Sequence, residues 1–215
     1  GQRNLIEGVA TKQTITDPKL PNLPKHPKLR FAVVDFGIKR SIIAELYKRN
    51  IAVTLFPPSV QAEEILGSGC DAMLLSNGPG DPALLTEAVT MTKAVMDSLP
   101  VFGICLGHQL ITWALGGRTY KMKYGHHGGN HPVIDIRTKA CFVTSQNHGY
   151  ASQEDSLPFE VAVWLRNAND NSVEGLYHTT KPICCVQFHP EASPGPRDAS
   201  WIFDTFIRTA QEAKA

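Results

Sequence analysis

The chain has 215 residues, with 21 Lys and Arg against 20 Asp and Glu, and 42% of its residues are apolar. That length suits one large domain or two small ones, and the apolar content is ample for a sizeable core. The formal net charge of +1 comes with scattered basic residues, which argues against nucleic acid or an anionic membrane as a partner. No apolar run approaches the roughly 18 residues that a membrane span needs.

The cysteines point to a reducing compartment. There are five of them, an odd number at irregular spacing, which argues against a disulfide framework. No signal peptide is recognisable at the start of the sequence. These features predict a soluble, cytoplasmic protein.

Residues 1–28 differ in composition from the rest of the chain. The stretch 17–28 contains four prolines and few residues that could form a core. Such a composition predicts an N-terminal stub followed by a proline-rich linker or surface arm. We therefore expect one globular domain over residues 29–215.

Apolar strands and amphipathic helices alternate in the first part of this domain. Strands are predicted at 29–34, 51–56, 72–75 and 101–104, and helices at 39–48, 60–66, 84–99 and 106–115. This repetition predicts an α/β fold, with a mostly parallel open sheet and helices on both of its faces.

After Gly117 the pattern changes to short strands separated by turn residues. These strands are predicted at 118–121, 133–136, 141–145, 161–165 and 173–178. They indicate a small antiparallel extension of the sheet. A last buried strand at 184–188 and a closing amphipathic helix at 200–210 complete the predicted fold.

Cys105 stands at the joint between a predicted strand and a predicted helix, flanked by Gly103 and Gly107. A nucleophile on a sharp strand-to-helix turn needs small neighbours, because the backbone folds back on itself there. The positive end of a helix also favours a thiolate. A lone cysteine is more often a buried core residue, but the two glycines and a His-Pro-Glu run downstream favour a nucleophile.

That His-Pro-Glu run, His189 to Glu191, follows the last buried strand. Residues two apart in an extended segment point to the same side, so the Glu191 carboxylate can reach the His189 imidazole. Cys105 and His189 both lie just past the carboxyl ends of predicted parallel strands, where open α/β sheets carry their active sites. We expect a nucleophile, a general base and acid, and an orienting carboxylate.

Three runs of the sequence resemble the class I (triad) glutamine amidotransferases. They are Gly-Ile-Cys-Leu-Gly-His-Gln (103–109), Ser-Asn-Gly-Pro-Gly-Asp-Pro (76–82) and Gln-Phe-His-Pro-Glu (187–191). The resemblance covers roughly residues 29–210. Further runs at 121–133, 145–151 and 189–196 resemble the glutaminase part of glutamine-dependent carbamoyl phosphate synthetase.

The resemblance implies that Cys105 attacks the side-chain carboxamide of glutamine, which gives a thioester and ammonia. The oxyanion of the tetrahedral intermediate needs backbone N–H donors. The resemblance assigns one to Leu106, at the helix start, and another to the loop Gly78–Gly80.

The remaining predicted contacts of the substrate lie further along the chain. Gln109 follows the nucleophile by four residues and so shares its helix face. Asn147, Gly149 and Tyr150 resemble the loop of the family that holds the amino-acid end of glutamine; taken without the resemblance, they would be an ordinary turn between strands.

No metal or cofactor is expected. His126 and His127 together with Cys184 and Cys185 lack the spacing of a zinc site. The loop 76–82 lacks the Lys-Ser/Thr of a P-loop, so it is not predicted to bind ATP. Lys39 could form a salt bridge or help the site, but the solvated start of a helix is the favoured interpretation.

The resemblance implies a synthetase domain or subunit that uses the ammonia with ATP and bicarbonate. Whether the product serves pyrimidine or arginine synthesis stays open. Two other functions also stay open: another triad amidotransferase, such as those feeding GMP or anthranilate synthesis, and a catalytically silent regulatory module.

The family's glutaminase region normally begins with a further N-terminal domain, which carries a serine that contacts the substrate. We therefore expect this chain to behave as an excised catalytic piece. It should fold alone, bind glutamine weakly and turn it over slowly.

Overall fold

The computed structural model describes residues 3–192 and 194–214. Gly1, Gln2, Ser193 and Ala215 lie outside the described residues; Ser193 belongs to the run 189–196 that contributed to the resemblance. Within the described part of the chain, no helix is long and apolar enough to cross a membrane.

The described chain forms six α-helices and ten strands. The helices are α1 (Arg3–Glu7), α2 (Arg40–Lys48), α3 (Ala62–Leu66), α4 (Thr86–Val95), α5 (Leu106–Ala114) and α6 (Trp201–Lys214). The strands are β1 (Ile15–Thr16), β2 (Leu29–Val34), β3 (Ile51–Phe56), β4 (Ala72–Leu75), β5 (Val101–Ile104), β6 (Arg118–Asp135), β7 (Cys141–Gln153), β8 (Val161–Asn167), β9 (Val173–His178) and β10 (Ile183–Val186). Short 3-10 helices cover Pro82–Leu84 and Glu154–Ser156.

All of these strands belong to one sheet, in the order β1-β3-β2-β4-β5-β10-β9-β8-β6-β7. The block β3-β2-β4-β5-β10 is parallel throughout. Beyond β10 the strands β9, β8, β6 and β7 pair antiparallel, and β1 pairs antiparallel with β3 at the opposite edge. The predicted α/β class, with its open sheet and antiparallel extension, is confirmed.

Helices cover both faces of the parallel block. Alternate residues of β2 belong to two separate cores: Phe31 and Val33 pack in the one that includes residues of α2 and α6, whereas Ala32 and Val34 pack in the one that includes residues of α3, α4 and α5. In the first core the Phe102 ring lies between those of Phe31 and Phe206, with centroids 5.7 and 4.8 Å apart.

The predicted helix at 84–99 is wrong at both ends. The chain first makes the 3-10 turn Pro82–Leu84, in which the Asp81 side chain accepts a hydrogen bond from the Ala83 amide. Leu85 then takes a non-helical conformation (φ −95°, ψ 50°), and α4 begins only at Thr86. Apolar periodicity could not show this break, because the apolar pattern continues without interruption through Leu84 and Leu85 into the helix.

The antiparallel extension is longer than predicted. The separate short strands predicted at 118–121 and 133–136 are the two ends of β6, which has 18 residues. Residues 147–150, predicted as a loop, lie within β7. The Gly- and His-rich middle of β6 lacks an alternating apolar pattern. It pairs through its main chain instead, with register shifts between Lys121 and His126 and between Gly128 and His131.

The segment before Leu29 lies along the sheet. Ile6 is buried, and β1 adds an edge strand to β3. The Arg30 guanidinium donates to both carboxylate oxygens of Asp17, at 2.9 and 3.0 Å. The domain boundary near Leu29 stays a prediction.

Candidate active site

Cys105 occupies the joint between β5 and α5 in a strained backbone conformation. Its φ of 55° and ψ of −104° are unusual for a residue with a side chain. Two hydrogen bonds fix the turn: the Cys105 amide donates to the Val186 carbonyl at 2.9 Å, and the Gly107 amide donates to the Ser76 carbonyl at 3.1 Å. The strain is therefore held by the neighbouring strand β10 and by the end of β4.

The glycines around this turn are required by close backbone packing. A Cβ on Gly107 would lie 2.1 Å from the Leu75 carbonyl oxygen, and one on Gly103 would lie 2.6 Å from the Gly107 carbonyl oxygen. A Cβ on Gly78 would lie 2.3 Å from the Phe36 carbonyl oxygen and 2.9 Å from the Leu106 side chain. The loop after β4 thus packs directly against the turn that carries the cysteine.

His189 and Glu191 follow the end of β10, and both are buried. The His189 amide donates to the Ser145 carbonyl at 2.8 Å, which ties this segment to β7. His189 Nδ1 lies 2.7 Å from Glu191 Oε1. Lys39 Nζ lies 3.2 Å from the same oxygen, so the favoured interpretation, a solvated helix start, is wrong and the alternative, a salt bridge, is confirmed.

The charges of this group support one another. Burial alone disfavours the imidazolium form of His189, but the neighbouring Cys105 sulfur and the Glu191 carboxylate favour it, and the pKa of His189 rises to about 10. Burial alone would raise the pKa of Glu191, but the hydrogen bond and charge of His189, aided by Lys39, lower it below its ordinary value. The imidazole is therefore charged at neutral pH and able to stabilise a thiolate beside it.

The predicted substrate segment, residues 147–150, lies against the cysteine. Cys105 Sγ is 3.9 Å from the Asn147 carbonyl oxygen. Gln109 Nε2 donates to the Tyr150 carbonyl at 2.9 Å and to Gln187 Oε1 at 3.1 Å. Burial and the neighbouring Asp81 raise the pKa of Tyr150. The hydrogen bond between the Tyr150 and Asp81 side chains joins the segment to the loop after β4.

The structure places the other predicted contacts around the same turn. Leu106 is the first residue of α5, so its N–H has no acceptor within the helix. Gly80 has a φ of 114°, in the region that favours glycine. A Cβ on Gly149 would meet no atom within 4 Å, so the segment is open on that side.

A second Cys–His pair lies behind the turn that carries Cys105, which we call the elbow. His108 Nδ1 is 3.1 Å from Cys185 Sγ, and His108 Nε2 is 2.9 Å from Ser152 Oγ. Burial lowers the pKa of His108 to about 3 and raises that of Cys185 well above its ordinary value. Both groups are therefore neutral at neutral pH, and the pair lacks the charged form that nucleophilic catalysis needs.

Three buried side chains form a cluster of the kind that binds metals. Ligand atoms of His126, His148 and Glu174 lie within 4.8 Å of one another. Gln146 Nε2 donates to Glu174 Oε1 at 2.9 Å, and Gln146 Oε1 lies 2.9 Å from His126 Nδ1 and 2.7 Å from His148 Nε2. This cluster is distinct from the His and Cys residues considered in the sequence; His127 instead lies 2.8 Å from Asn147 Oδ1.

Sequence reasoning missed several residues that contact the site. Ser145 accepts from the His189 amide, and Gln187 accepts from Gln109. Gln146 donates to Glu174. A signal was present for Glu174: a carboxylate within the apolar strand Val-Glu-Gly-Leu-Tyr is costly unless it has buried partners.

The open α/β sheet thus carries a strained cysteine turn and a buried His–Glu pair at the ends of its strands. The profile of the family "Glutamine amidotransferase class-I" matches residues 32–209. The chain belongs to this family.

Several curated relatives carry the name carbamoyl phosphate synthase small chain. The relative from Streptococcus pneumoniae is 49% identical over 209 residues, which cover 97% of this chain and 56% of the relative. The relative from Methanocaldococcus jannaschii is 46% identical over 205 residues, which cover 95% of this chain and 56% of the relative. The chain thus spans about half the length of the curated relatives it matches.

A solved structure shares the fold. One Thermoplasma acidophilum protein, described as a candidate GMP synthase component, superposes with a TM-score of 0.75, covering 86% of this chain and 96% of that one. At 24% identity this likeness concerns the fold alone.

Proposed function

We propose that this chain hydrolyses glutamine to glutamate and ammonia through a thioester on Cys105. The observation that carries the proposal is a strained cysteine beside a buried His189–Glu191 pair, whose two side chains lie 2.7 Å apart. A thiolate next to an imidazolium is the activated form of a cysteine nucleophile. Membership of the class I family supports glutamine as the substrate.

The reaction proceeds in two halves. The Cys105 sulfur adds to the carboxamide carbon, and the electron pair of the C=O bond moves to oxygen. The N–H of Leu106 and the loop Gly78–Gly80 stabilise this oxyanion. His189 gives a proton to the nitrogen, the C–N bond breaks and ammonia leaves. His189 then takes a proton from water, and the water oxygen adds to the thioester carbon. The C–S bond breaks with its electron pair going to sulfur, which releases glutamate and restores the Cys105 thiolate beside a protonated His189.

Gln109 has a defined role in this scheme. Its two amide hydrogens are already used by the Tyr150 carbonyl and Gln187 Oε1, so its oxygen is the atom available to the substrate. An oxygen acceptor suits the ammonium group of glutamine. Asn147, Gly149 and Tyr150 hold the same amino-acid end through their main chain.

The proposed destination of the ammonia is a carbamoyl phosphate synthetase domain or subunit that uses ATP and bicarbonate. Relatives at 46–49% identity carry that enzyme's name, whereas the structural neighbour linked to GMP synthesis is 24% identical. All five cysteines are free thiols, which suits a reducing, cytoplasmic compartment.

The first test is glutamine hydrolysis by the 215-residue chain, followed as glutamate and ammonia released. Cys105→Ala should abolish it, because the proposed thioester forms on the Cys105 sulfur, which lies beside His189. Cys141→Ala is the matched control, since Cys141 is an exposed free thiol and its loss should leave turnover unchanged. Undiminished turnover in Cys105→Ala would refute the proposed nucleophile, and an inactive wild type would favour a silent module.

The second test concerns the partner. A synthetase subunit supplied with this chain should make carbamoyl phosphate from glutamine, and Cys105→Ala should remove only the glutamine-dependent synthesis while ammonia still serves. Glutaminase activity that supports GMP synthesis but never carbamoyl phosphate synthesis would favour the other branch of the family.

A further inference from the structure

A buried polar network lies behind the substrate segment 147–150. Its anchor is Glu174 on β9, which is fully buried. Glu174 Oε1 accepts hydrogen bonds from Gln146 Nε2 at 2.9 Å and from Asn167 Nδ2 at 3.0 Å. A buried carboxylate is costly unless donors reach it. These two bonds satisfy Oε1, whereas Oε2 is buried without a hydrogen-bond partner among the described residues.

Gln146 connects the anchor to two imidazoles. Its Oε1 lies 2.9 Å from His126 Nδ1 and 2.7 Å from His148 Nε2. His148 Nδ1 in turn lies 2.8 Å from the Tyr150 carbonyl oxygen, which also accepts from Gln109 Nε2 at 2.9 Å. A continuous set of contacts therefore runs from Glu174 to the backbone that faces Cys105.

Glu174 also determines the orientation of the Gln146 side-chain amide. A carboxylate only accepts hydrogen bonds, so the NH₂ group of Gln146 must face it and the oxygen must face His126. His126 supports this orientation, because the hydrogen bond with Glu174 raises its pKa, against burial and with help from Asp170, to about 9. A charged His126 donates through Nε2 to Asp170 Oδ2 at 2.8 Å, and its Nδ1 proton is shared between Gln146 Oε1 at 2.9 Å and Glu174 Oε1 at 3.4 Å.

We propose that Glu174 is a positioning residue for glutamine hydrolysis: through Gln146 it holds residues 147–150 in the conformation that binds the amino-acid end of the substrate. This inference rests on the proposed function. It predicts a loss in glutamine binding rather than in the reactivity of Cys105, because the elbow is held separately by β10 and Ser76.

The test compares Glu174→Leu, which removes the acceptor, with Glu174→Gln, which keeps an acceptor oxygen for Gln146. Glu174→Leu should raise the KM for glutamine about tenfold, with kcat within about threefold of wild type. Glu174→Gln should restore KM to within about threefold of wild type. Thr92→Val controls for the loss of a buried hydrogen bond elsewhere, since Thr92 Oγ1 donates to the Ala88 carbonyl within α4.

A second readout separates positioning from general damage. Labelling of Cys105 by 6-diazo-5-oxo-L-norleucine, a glutamine-like electrophile, should slow about tenfold in Glu174→Leu. Labelling of the same cysteine by iodoacetamide, which needs only the thiol, should not change. Mass spectrometry of the Cys105 peptide reports both rates.

An unchanged KM in folded Glu174→Leu, or equal slowing of the two labelling reactions, would overturn the proposal. If Glu174→Leu fails to fold by circular dichroism, Gln146→Met breaks the same link and carries the same expectations. A different outcome would contradict the proposed function itself: a wild-type protein that neither hydrolyses glutamine nor is labelled by 6-diazo-5-oxo-L-norleucine.

Discussion

The parallel and antiparallel halves of the sheet serve the same site by different means. In the parallel half, β3-β2-β4-β5-β10, the strands are almost wholly apolar and buried, and the polar site residues stand at strand ends. In the antiparallel half, β9-β8-β6-β7, polar side chains such as Gln146 and Glu174 lie inside the sheet layer and hydrogen-bond to one another.

Under the proposed function, this difference separates the reacting atoms from the groups that shape the substrate site. The parallel half holds Cys105 by backbone packing that leaves no room for a Cβ on Gly103 or Gly107. The antiparallel half holds its substrate segment through side-chain hydrogen bonds, which tolerate a replacement that keeps the acceptor. Substitutions in the first half should therefore affect chemistry and folding, and substitutions in the second should affect binding and pH response.

The largest effect is expected at His189 and Glu191, which follow the last strand of the parallel half. His189 transfers protons directly, so His189→Ala should lower kcat for glutamine about 10⁵-fold, while Glu191→Ala, which loses only orientation and charge support, should cost at least about tenfold less. Steady-state kcat at saturating glutamine measures both. Small and equal losses in the two variants would place the base elsewhere in the molecule.

A smaller effect is expected from adding one methyl group to each half. In Gly107→Ala the new Cβ would meet the Leu75 carbonyl oxygen at 2.1 Å, and overpacking of this kind costs about 3 kcal/mol. In Gly129→Ala, in β6, the nearest atom would be Pro196 Cδ at 3.5 Å, an ordinary contact. Urea unfolding should show a marked loss for the first variant and almost none for the second; similar losses would mean that the elbow can relax.

The smallest effect is a pH dependence that belongs to the antiparallel half. The pKa of His126 is raised from 6.5 to about 9 by Glu174 and Asp170. The resulting stability is fully present below pH 6.5 and is lost as the pH rises through about 9. We expect the free energy of unfolding of the wild type to fall by about 1–2 kcal/mol more than that of His126→Gln between pH 7 and 10. Parallel pH profiles for the two proteins would show that His126 is uncharged in the fold.

The sequence was most informative about the parallel half. Four strands predicted at 29–34, 51–56, 72–75 and 101–104 have those bounds in the structure, because buried parallel strands are short, continuous apolar runs between turn residues. The antiparallel half was harder. Its longest strands, β6 and β7, pass through Gly-, His- and Asn-rich stretches. Main-chain pairing between these two strands decides the structure there, and no alternating apolar pattern predicts it.

The same contrast holds at the site. By itself the sequence determined the cysteine turn and the His-Pro-Glu end of the last parallel strand, because each depends on residues close together in the chain. Only the tertiary structure decided that Lys39 forms an ion pair with Glu191 and that Gln146 hydrogen-bonds to Glu174, 28 residues away in the chain. The same holds for Gln109, which donates both amide hydrogens, to Tyr150 and Gln187. These contacts join strands that are distant in sequence, and a buried polar group acquires its partners only when such strands are brought together.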